Sequence, residues 1–195
     1  VSGTGSVSVD TSRNIVVNGP LNVVDGNLSL IANSNGTTGG DFHGIEVNSS
    51  IVTSGNGSVI INGTSGDSLA NHGVRINGSG NVASTGAGPS AGTISIGGLS
   101  QSSDRNGDGV VVIGDVSSVD GSIAITGGSD LGKGTNLQGT TISSTGIGSN
   151  AATITITGVN DAPVATDDTA TTDQDTGITV DLLSNDSDVD SGFAV

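Results

Sequence analysis

A short run of aliphatic residues returns at nearly constant spacing along the 195-residue chain. These runs begin at Leu28, Val59, Ile94, Ile123 and Ile154, so that successive starts are 31, 35, 29 and 31 residues apart. A period of this length is typical of stacked supersecondary units that bury their apolar faces against one another. The sequence therefore predicts a solenoid, in which each coil contacts only the coils before and after it.

The composition fits thin, repeated burial rather than one large core. Only 32% of the residues are hydrophobic and 1% are aromatic, whereas 34 are glycine and three are proline. Short alternating strands of Val, Ile and Leu can fill a narrow axis, because neighbouring coils cover the apolar side chains of each coil. Glycine supplies positive φ angles at coil corners, and few prolines interrupt the strand ladders.

Each full repeat carries three apolar patches, which predicts three strands and three faces per coil. In the third coil the patches are Val59 and Ile61, then Val74 and Ile76, then Val82. The later coils also carry polar insertions between their first and second strands, and the first coil lacks one. Insertions at one corner stack on one side of a solenoid, so we expect a lateral loop face there. The insertions are residues 34–43, 64–72, 100–108 and 129–138.

The repeat texture, from Val1 to about Thr157, resembles the parallel β-helices of bacterial secreted adhesins and filamentous-haemagglutinin-like proteins. The resemblance implies an all-β, right-handed parallel β-helix with three strands per coil and about five coils, the handedness that crossover connections favour. It also implies a secreted or bacterial cell-surface location.

Charge and composition exclude several classes of partner. The 19 acidic and four basic residues give a net charge of −15, which repels nucleic acid and anionic lipid surfaces. No apolar stretch approaches the ~18 residues that span a bilayer, so no membrane insertion is expected. The chain has no cysteine, and it begins at Val1 without a signal-like segment, which we interpret as a processed or excised piece of a longer protein.

Two histidines are predicted to lie in one column at a coil corner. His43 and His72 each precede a glycine, and coil stacking would place them about 4.8 Å apart. The column would continue with Asp108 and Gln138, which also precede glycines. A plain polar corner is the favoured interpretation, because the alternative, a transition-metal site, needs three or four convergent ligands.

Four asparagines stand near strand ends before Gly or Ser, namely Asn18, Asn48, Asn62 and Asn77. Such positions are typical of left-handed turn conformations or of amide ladders between stacked strands.

Residues 104–115 resemble the calcium loop of EF-hands and dockerins. Asp104, Asn106 and Asp108 occupy the first three ligand positions, and Asp115 stands twelfth in place of the usual Glu. An extended strand from Val110 to Asp115 would carry the last carboxylate about 16 Å away, at ~3.3 Å per residue. The sequence thus predicts calcium bound by Asp104, Asn106 and Asp108, with an Asp-Gly turn and solvated acids as the alternative.

After Gly158 the texture changes to an acidic segment without a basic residue. It resembles the opening of the cadherin-like, Ig-like repeats of the VCBS and tandem-95 type that string together giant bacterial adhesins. The resemblance is carried by the linker at 160–163, an alternating apolar pattern at 178–182 and an acidic motif at 185–190. The resemblance implies that this segment binds calcium through Asp161, Asp186, Asp188 and Asp190. The alternative is a solvated acidic linker.

The predicted domains are a parallel β-helix over 1–158, then an acidic linker and incomplete Ig-like segment over 159–195. We expect an extracellular structural protein that contributes to a surface fibre by head-to-tail self-association, with the extended C-terminal β segment pairing with a neighbouring copy. One alternative is an adhesin module whose lateral loops bind a matrix or host ligand. The other, a carbohydrate-active β-helix enzyme, is disfavoured because the four basic residues stand in distant coils, so no catalytic residue is predicted.

Overall fold

The computed structural model describes residues 4–146, 152–158 and 169. The chain divides into two units, residues 1–159 and 160–195, and the strands described below lie in the first. In this described part no helix is long and apolar enough to cross a membrane.

The strands follow one another in threes, and each three form one coil. The first coil comprises β1 (Val7–Thr11), β2 (Ile15–Val17) and β3 (Leu21–Val24). The second comprises β4 (Leu28–Ala32), β5 (Ile45–Val47) and β6 (Ser50–Ser54), and the third β7 (Val59–Thr64), β8 (Val74–Ile76) and β9 (Asn81–Ser84). The fourth comprises β10 (Ile94–Ser100), β11 (Val110–Val112) and β12 (Asp115–Ser118), and the fifth β13 (Ile123–Ser129), β14 (Thr135–Leu137) and β15 (Ile142–Ser144). A final strand, β16 (Ile154–Gly158), opens a sixth coil.

Equivalent strands of successive coils pair in parallel and form three sheets. Sheet A is ordered β1-β4-β7-β10-β13-β16, sheet B β14-β11-β8-β5-β2, and sheet C β15-β12-β9-β6-β3. Every strand therefore pairs with the strand one coil away, which is the topology of a parallel β-helix. The predicted fold class, with three strands per coil and five complete coils, is confirmed.

Inward side chains of sheet A stack in two apolar columns that run through all six strands. Along each strand these inward residues alternate with outward ones, because successive side chains of a β-strand point to opposite faces of the sheet. From β4 to β13 each column member is at most 1% exposed. The first column is Val7, Leu28, Val59, Ile94, Ile123 and Ile154, and the second is Val9, Leu30, Ile61, Ile96, Ile125 and Ile156.

Sheets B and C complete the narrow core. Val74 and Ile76 of β8 and Val82 of β9 are fully buried, as the third-coil prediction requires. The same holds one coil further along for Val110, which pairs with Val74. The inward aliphatic residues of neighbouring coils thus cover one another, which explains how a chain so poor in aromatic residues buries a continuous interior.

The corners between sheets A and B differ in length along the stack. Residues 12–14 form a tight corner in the first coil, whereas 33–44, 65–73 and 101–109 form long ones. The predicted lateral insertions are therefore present in the second, third and fourth coils. In the fifth coil the corner comprises only residues 130–134. The predicted end of that insertion, at Gln138, is therefore wrong.

Glycine is required where these long corners meet the strands of sheet B. A Cβ atom on Gly73 would lie 2.3 Å from the backbone nitrogen of Leu99, and one on Gly109 would lie 2.3 Å from that of Gly128. Both contacts are with backbone atoms, which cannot move aside independently of the sheets. The corners can pack this closely only because these two positions lack a side chain.

Candidate functional site at the lateral corner

A column of buried hydroxyl groups lies beneath the long corners. Ser65 directly follows β7, and Ser100 and Ser129 end β10 and β13 in the next two coils; they are 0%, 0% and 5% exposed. Ser100 Oγ donates to the carbonyl of Asn71 at 2.7 Å, and Ser129 Oγ donates to that of Gly107 at 2.6 Å. This column holds the loops to the coils from within, and it is not among the features that the sequence predicts.

In the second coil Asn33, the residue that follows β4, ties down the long corner. It is fully buried and adopts a left-handed φ of 48°, which asparagine tolerates better than most residues. Its Nδ2 donates to the carbonyls of Thr38 and Ser65 at 3.1 and 3.3 Å, and its Oδ1 accepts from the Thr38 amide. One side chain thereby closes its own loop and binds it to the next coil.

Further contacts join one loop to another. Asp67 accepts a hydrogen bond from the amide of Gly40 at 2.6 Å, and Gln101 Nε2 donates to the carbonyl of Gly36 at 3.1 Å. A groove of about 530 Å³ lies on this loop layer. Its lining is acidic and polar apart from Leu69, which is 66% exposed, and comprises Asp41, Asp67, Ser68, Leu69 and Ser103.

The predicted histidine stack is present at the same corner. The rings of His43 and His72 are stacked, with centroids 4.9 Å apart and planes inclined by 13°. His43 Nδ1 accepts the backbone N–H of His72 at 3.0 Å, and His72 Nδ1 accepts that of Asp108 at 3.0 Å. The two rings therefore link three consecutive coils.

These hydrogen bonds fix the tautomer of both rings. Because Nδ1 of His43 and of His72 accepts an N–H, the proton of each neutral ring resides on Nε2. Neither ring nitrogen then offers a free lone pair to a metal. The geometry favours a hydrogen-bonded polar corner over a transition-metal site.

The environment keeps both rings neutral. Burial lowers the pKa of His72 from its ordinary 6.5 to about 4; the nearby His43 ring adds to this shift, and Asp108 opposes it. Burial also lowers the pKa of His43, with Glu46 as the main opposing group. Desolvation disfavours the charged imidazolium in each case.

The column continues with Asp108 and then Lys133. Asp108 is 5% exposed, its Oδ1 accepts the Lys133 amide at 2.9 Å, and its Oδ2 accepts Asn136 Nδ2 at 2.6 Å. The predicted fourth member, Gln138, is wrong. It lies beyond β14, because the fifth corner is too short to bring Gln138 into register.

Of the three predicted calcium ligands in this region, the structure brings two together. Asp104 Oδ1 accepts hydrogen bonds from the amide and from Nδ2 of Asn106, at 2.8 and 2.9 Å. Both carboxylate oxygens of the third, Asp108, instead accept hydrogen bonds from Lys133 and Asn136, so Asp108 does not join the pair. Over the described ranges no group of three or more His, Cys, Asp or Glu side chains is arranged to hold a metal ion. Calcium at the Asp104 turn stays a prediction.

The four remaining predicted calcium ligands lie outside the described residues, as does the C-terminal segment predicted to be extended. They are Asp161, Asp186, Asp188 and Asp190.

Three of the four predicted asparagines form an amide ladder on the outside of sheet B. Asn48 donates to Asn18 at 3.0 Å, and Asn77 donates to Asn48 and also to Glu46 at 2.7 Å. Asn62 instead faces outward from sheet A, level with Ile31 and Gly97. The ladder prediction is thus confirmed for three residues. The left-handed alternative is wrong, because the non-glycine residues with positive φ among those described are Asp25, Asn33 and Ala70.

Comparison with known proteins finds a family-model match for one segment of the chain. Residues 160–194 match the family model described as a bacterial Ig domain. Bacterial Ig-like domains are typical of extracellular or surface proteins, so the match supports the predicted Ig-like segment and a surface or extracellular setting. Among curated proteins and solved structures, none matches the chain.

Proposed function

We propose that this chain is a non-catalytic structural element of a bacterial extracellular fibre, in which β-helices contact one another head to tail. The Ig-like segment supports the extracellular setting, and the parallel β-helix provides a stiff rod. The C-terminal segment is the proposed strand that pairs with the neighbouring copy.

The observation that carries the proposal is that apolar side chains are exposed at both ends of the two sheet A columns. Val9 at one end is 41% exposed, and Ile154 and Ile156 at the other are 39% and 42% exposed. Each of these side chains would be covered by one further coil of the same kind. The outer backbone edges of β1 and β16 likewise have no partner strand in the part of the chain that the structure describes.

Sedimentation velocity and negative-stain microscopy test the proposal. The protein is expected to form regular linear assemblies as its concentration rises, and Ile156→Lys should abolish them by placing a charge in the contact. Ile60→Lys is the matched control, because Ile60 is also 42% exposed but lies on the outer face of sheet A. A monomer at every concentration would refute the proposal. Assembly that survives Ile156→Lys but is lost in Ile178→Lys would assign the contact to the C-terminal segment.

Calcium belongs to the same proposal. We expect it to be bound by the acidic residues of the C-terminal segment and to stiffen the junction, because carboxylates are its preferred ligands. Isothermal titration calorimetry of the protein with calcium tests this directly. A fourfold change to Asn at positions 161, 186, 188 and 190 should remove the heat of binding, whereas Asp104→Asn would remove it only if the corner turn binds the ion.

A second candidate function rests on the lateral groove. The loops around this groove are held by the Gly40–Asp67 hydrogen bond at the surface and by the buried hydrogen bonds of Asn33 and Ser100, so the groove is supported as a pre-formed binding surface requires. We therefore propose an adhesin module as the alternative. Binding of the protein to matrix components or glycans, weakened by Leu69→Asp but unchanged by Ile60→Asp, would favour it; equal binding by both variants would reject it.

A further inference from the structure

We propose that His43 and His72 form an acid-sensitive latch, which holds the lateral loops to the coils at neutral pH and releases them when the rings take up protons. The latch is defined by these two stacked rings and by the two backbone N–H groups that they accept.

Each bond of the latch joins two consecutive coils at the base of a loop. The first runs from the His72 amide to His43, 29 residues apart, and the second from the Asp108 amide to His72, 36 residues apart. Both donors stand immediately before the close-packed glycines Gly73 and Gly109, where the long corners join sheet B. Loss of these bonds would therefore act where the loops are attached.

Protonation breaks the latch for two reasons. An imidazolium carries N–H groups on both nitrogens, so a charged ring cannot accept the backbone N–H that now points at its Nδ1. In addition, two charged rings with centroids 4.9 Å apart repel each other. Both effects favour separation of the rings, and neither operates while they are neutral.

The charged groups around the latch set the pH at which it opens. Glu46 on β5 and Asp41 in the same corner as His43 favour protonation of His43, and Asp108 favours that of His72. Arg75 on β8 opposes protonation of both rings. Burial outweighs the acids, so the latch stays closed at neutral pH and opens below the ordinary range of histidine.

Release of the His43 corner would also uncover its neighbour Phe42. Phe42 is 6% exposed, and the Arg13 guanidinium lies 5.1 Å above the centre of its ring. Acid would thus change both the shape of the loop layer and its apolar character.

Amide hydrogen exchange followed by NMR tests the latch in the full chain. Protection factors corrected for intrinsic exchange should fall at least tenfold for the His72 and Asp108 amides between pH 7 and pH 3.5, while the Ile61 amide in the core stays protected. The double variant His43→Asn, His72→Asn is the control, because an asparagine carbonyl accepts an N–H at either pH. In this variant acid should leave the protection of both amides unchanged.

Two results would overturn the latch. One is an equal loss of protection in the double variant, which would attribute the acid effect to carboxyl groups. The other needs only the wild-type protein: ring resonances of His43 and His72 that titrate while both amides remain protected.

Discussion

Asn48 donates its side-chain N–H to Oδ1 of Asn18 at 3.0 Å and thereby ties the second coil to the first. Its own Oδ1 accepts a hydrogen bond from Asn77 of the third coil. A single side chain therefore carries two links between coils on the outer face of sheet B.

Asn48→Ala should lower the free energy of unfolding by about 1–2 kcal/mol, because two inter-coil hydrogen bonds are lost at a partly buried site. Asn62→Ala is the control, since Asn62 is exposed and lies outside the ladder; it should change stability by less than about 0.5 kcal/mol. Urea denaturation followed by circular dichroism measures both. Equal effects of the two substitutions would show that the ladder adds no stability.

The core prediction compares two adjacent isoleucines of β7. Ile61 is fully buried in the second sheet A column, whereas Ile60 faces outward and is 42% exposed. Ile61→Ala should destabilise the protein by roughly 2–5 kcal/mol, because it leaves a cavity that neighbouring coils cannot fill. Ile60→Ala should cost less than about 1 kcal/mol. Thermal unfolding measures both variants. If Ile60→Ala lowered the melting temperature more than Ile61→Ala, the assigned register of β7 would be wrong.

Gly73→Ala should be among the most damaging substitutions at the corners. The added methyl group would lie 2.3 Å from a backbone nitrogen and 2.6 Å from a carbonyl oxygen, so the sheets must separate locally at a cost of roughly 3 kcal/mol. A Cβ on Gly19 would meet nothing within 4 Å, so Gly19→Ala should leave the melting temperature nearly unchanged. A tolerated Gly73→Ala would show that the corners pack less tightly than described.

Ser100→Ala should loosen the lateral loop of the fourth coil. It removes the donor to the Asn71 carbonyl and the acceptor of the Ser102 amide, both at a buried site, at a cost of about 1–3 kcal/mol. Limited proteolysis should therefore cut the loops faster in this variant than in Ser95→Ala, whose hydroxyl is exposed on sheet A. Identical cleavage rates would mean that the hydroxyl column does not hold the loops.

Stability should decrease as the pH falls from 6.5 towards 4. In this window the unfolded chain protonates His72, whereas the folded chain does not, because its pKa is lowered to about 4. The loss of stability is complete below the pKa of the folded state and amounts to roughly 1–2 kcal/mol. This is less than the whole pKa shift would give, because the ring is partly exposed and solvent screens its charge. Urea denaturation of wild type and His72→Asn across this range should show a gap that changes with pH; a constant gap would contradict the assignment.

The sequence predicts the interior of the fold well because the interior is periodic. Leu28, Val59 and Ile94 recur once in each coil at equivalent positions. Because side chains alternate along a strand, the residue next to each of them faces outward. The histidine stack and the asparagine ladder follow from the same counting, since coil stacking converts equal positions into contacts.

The corners are harder to predict because their lengths vary independently of the strands. Because the column members directly precede a glycine, the sequence predicts Gln138 as the fourth member. The short fifth corner instead brings Lys133 to that position. The hydroxyl column is hard to predict from the sequence because the chain is rich in serine, so its members do not stand out. Their signal is a fixed offset: Ser65, Ser100 and Ser129 each follow the second inward aliphatic residue of their coil by four positions.

The near-identity of successive levels within the two sheet A columns has a consequence for how such a molecule can change over generations. A tandem duplication of one coil in the gene inserts a layer whose upper and lower surfaces already match its new neighbours. Length is then adjustable in increments of about 4.8 Å, with no compensating substitution elsewhere.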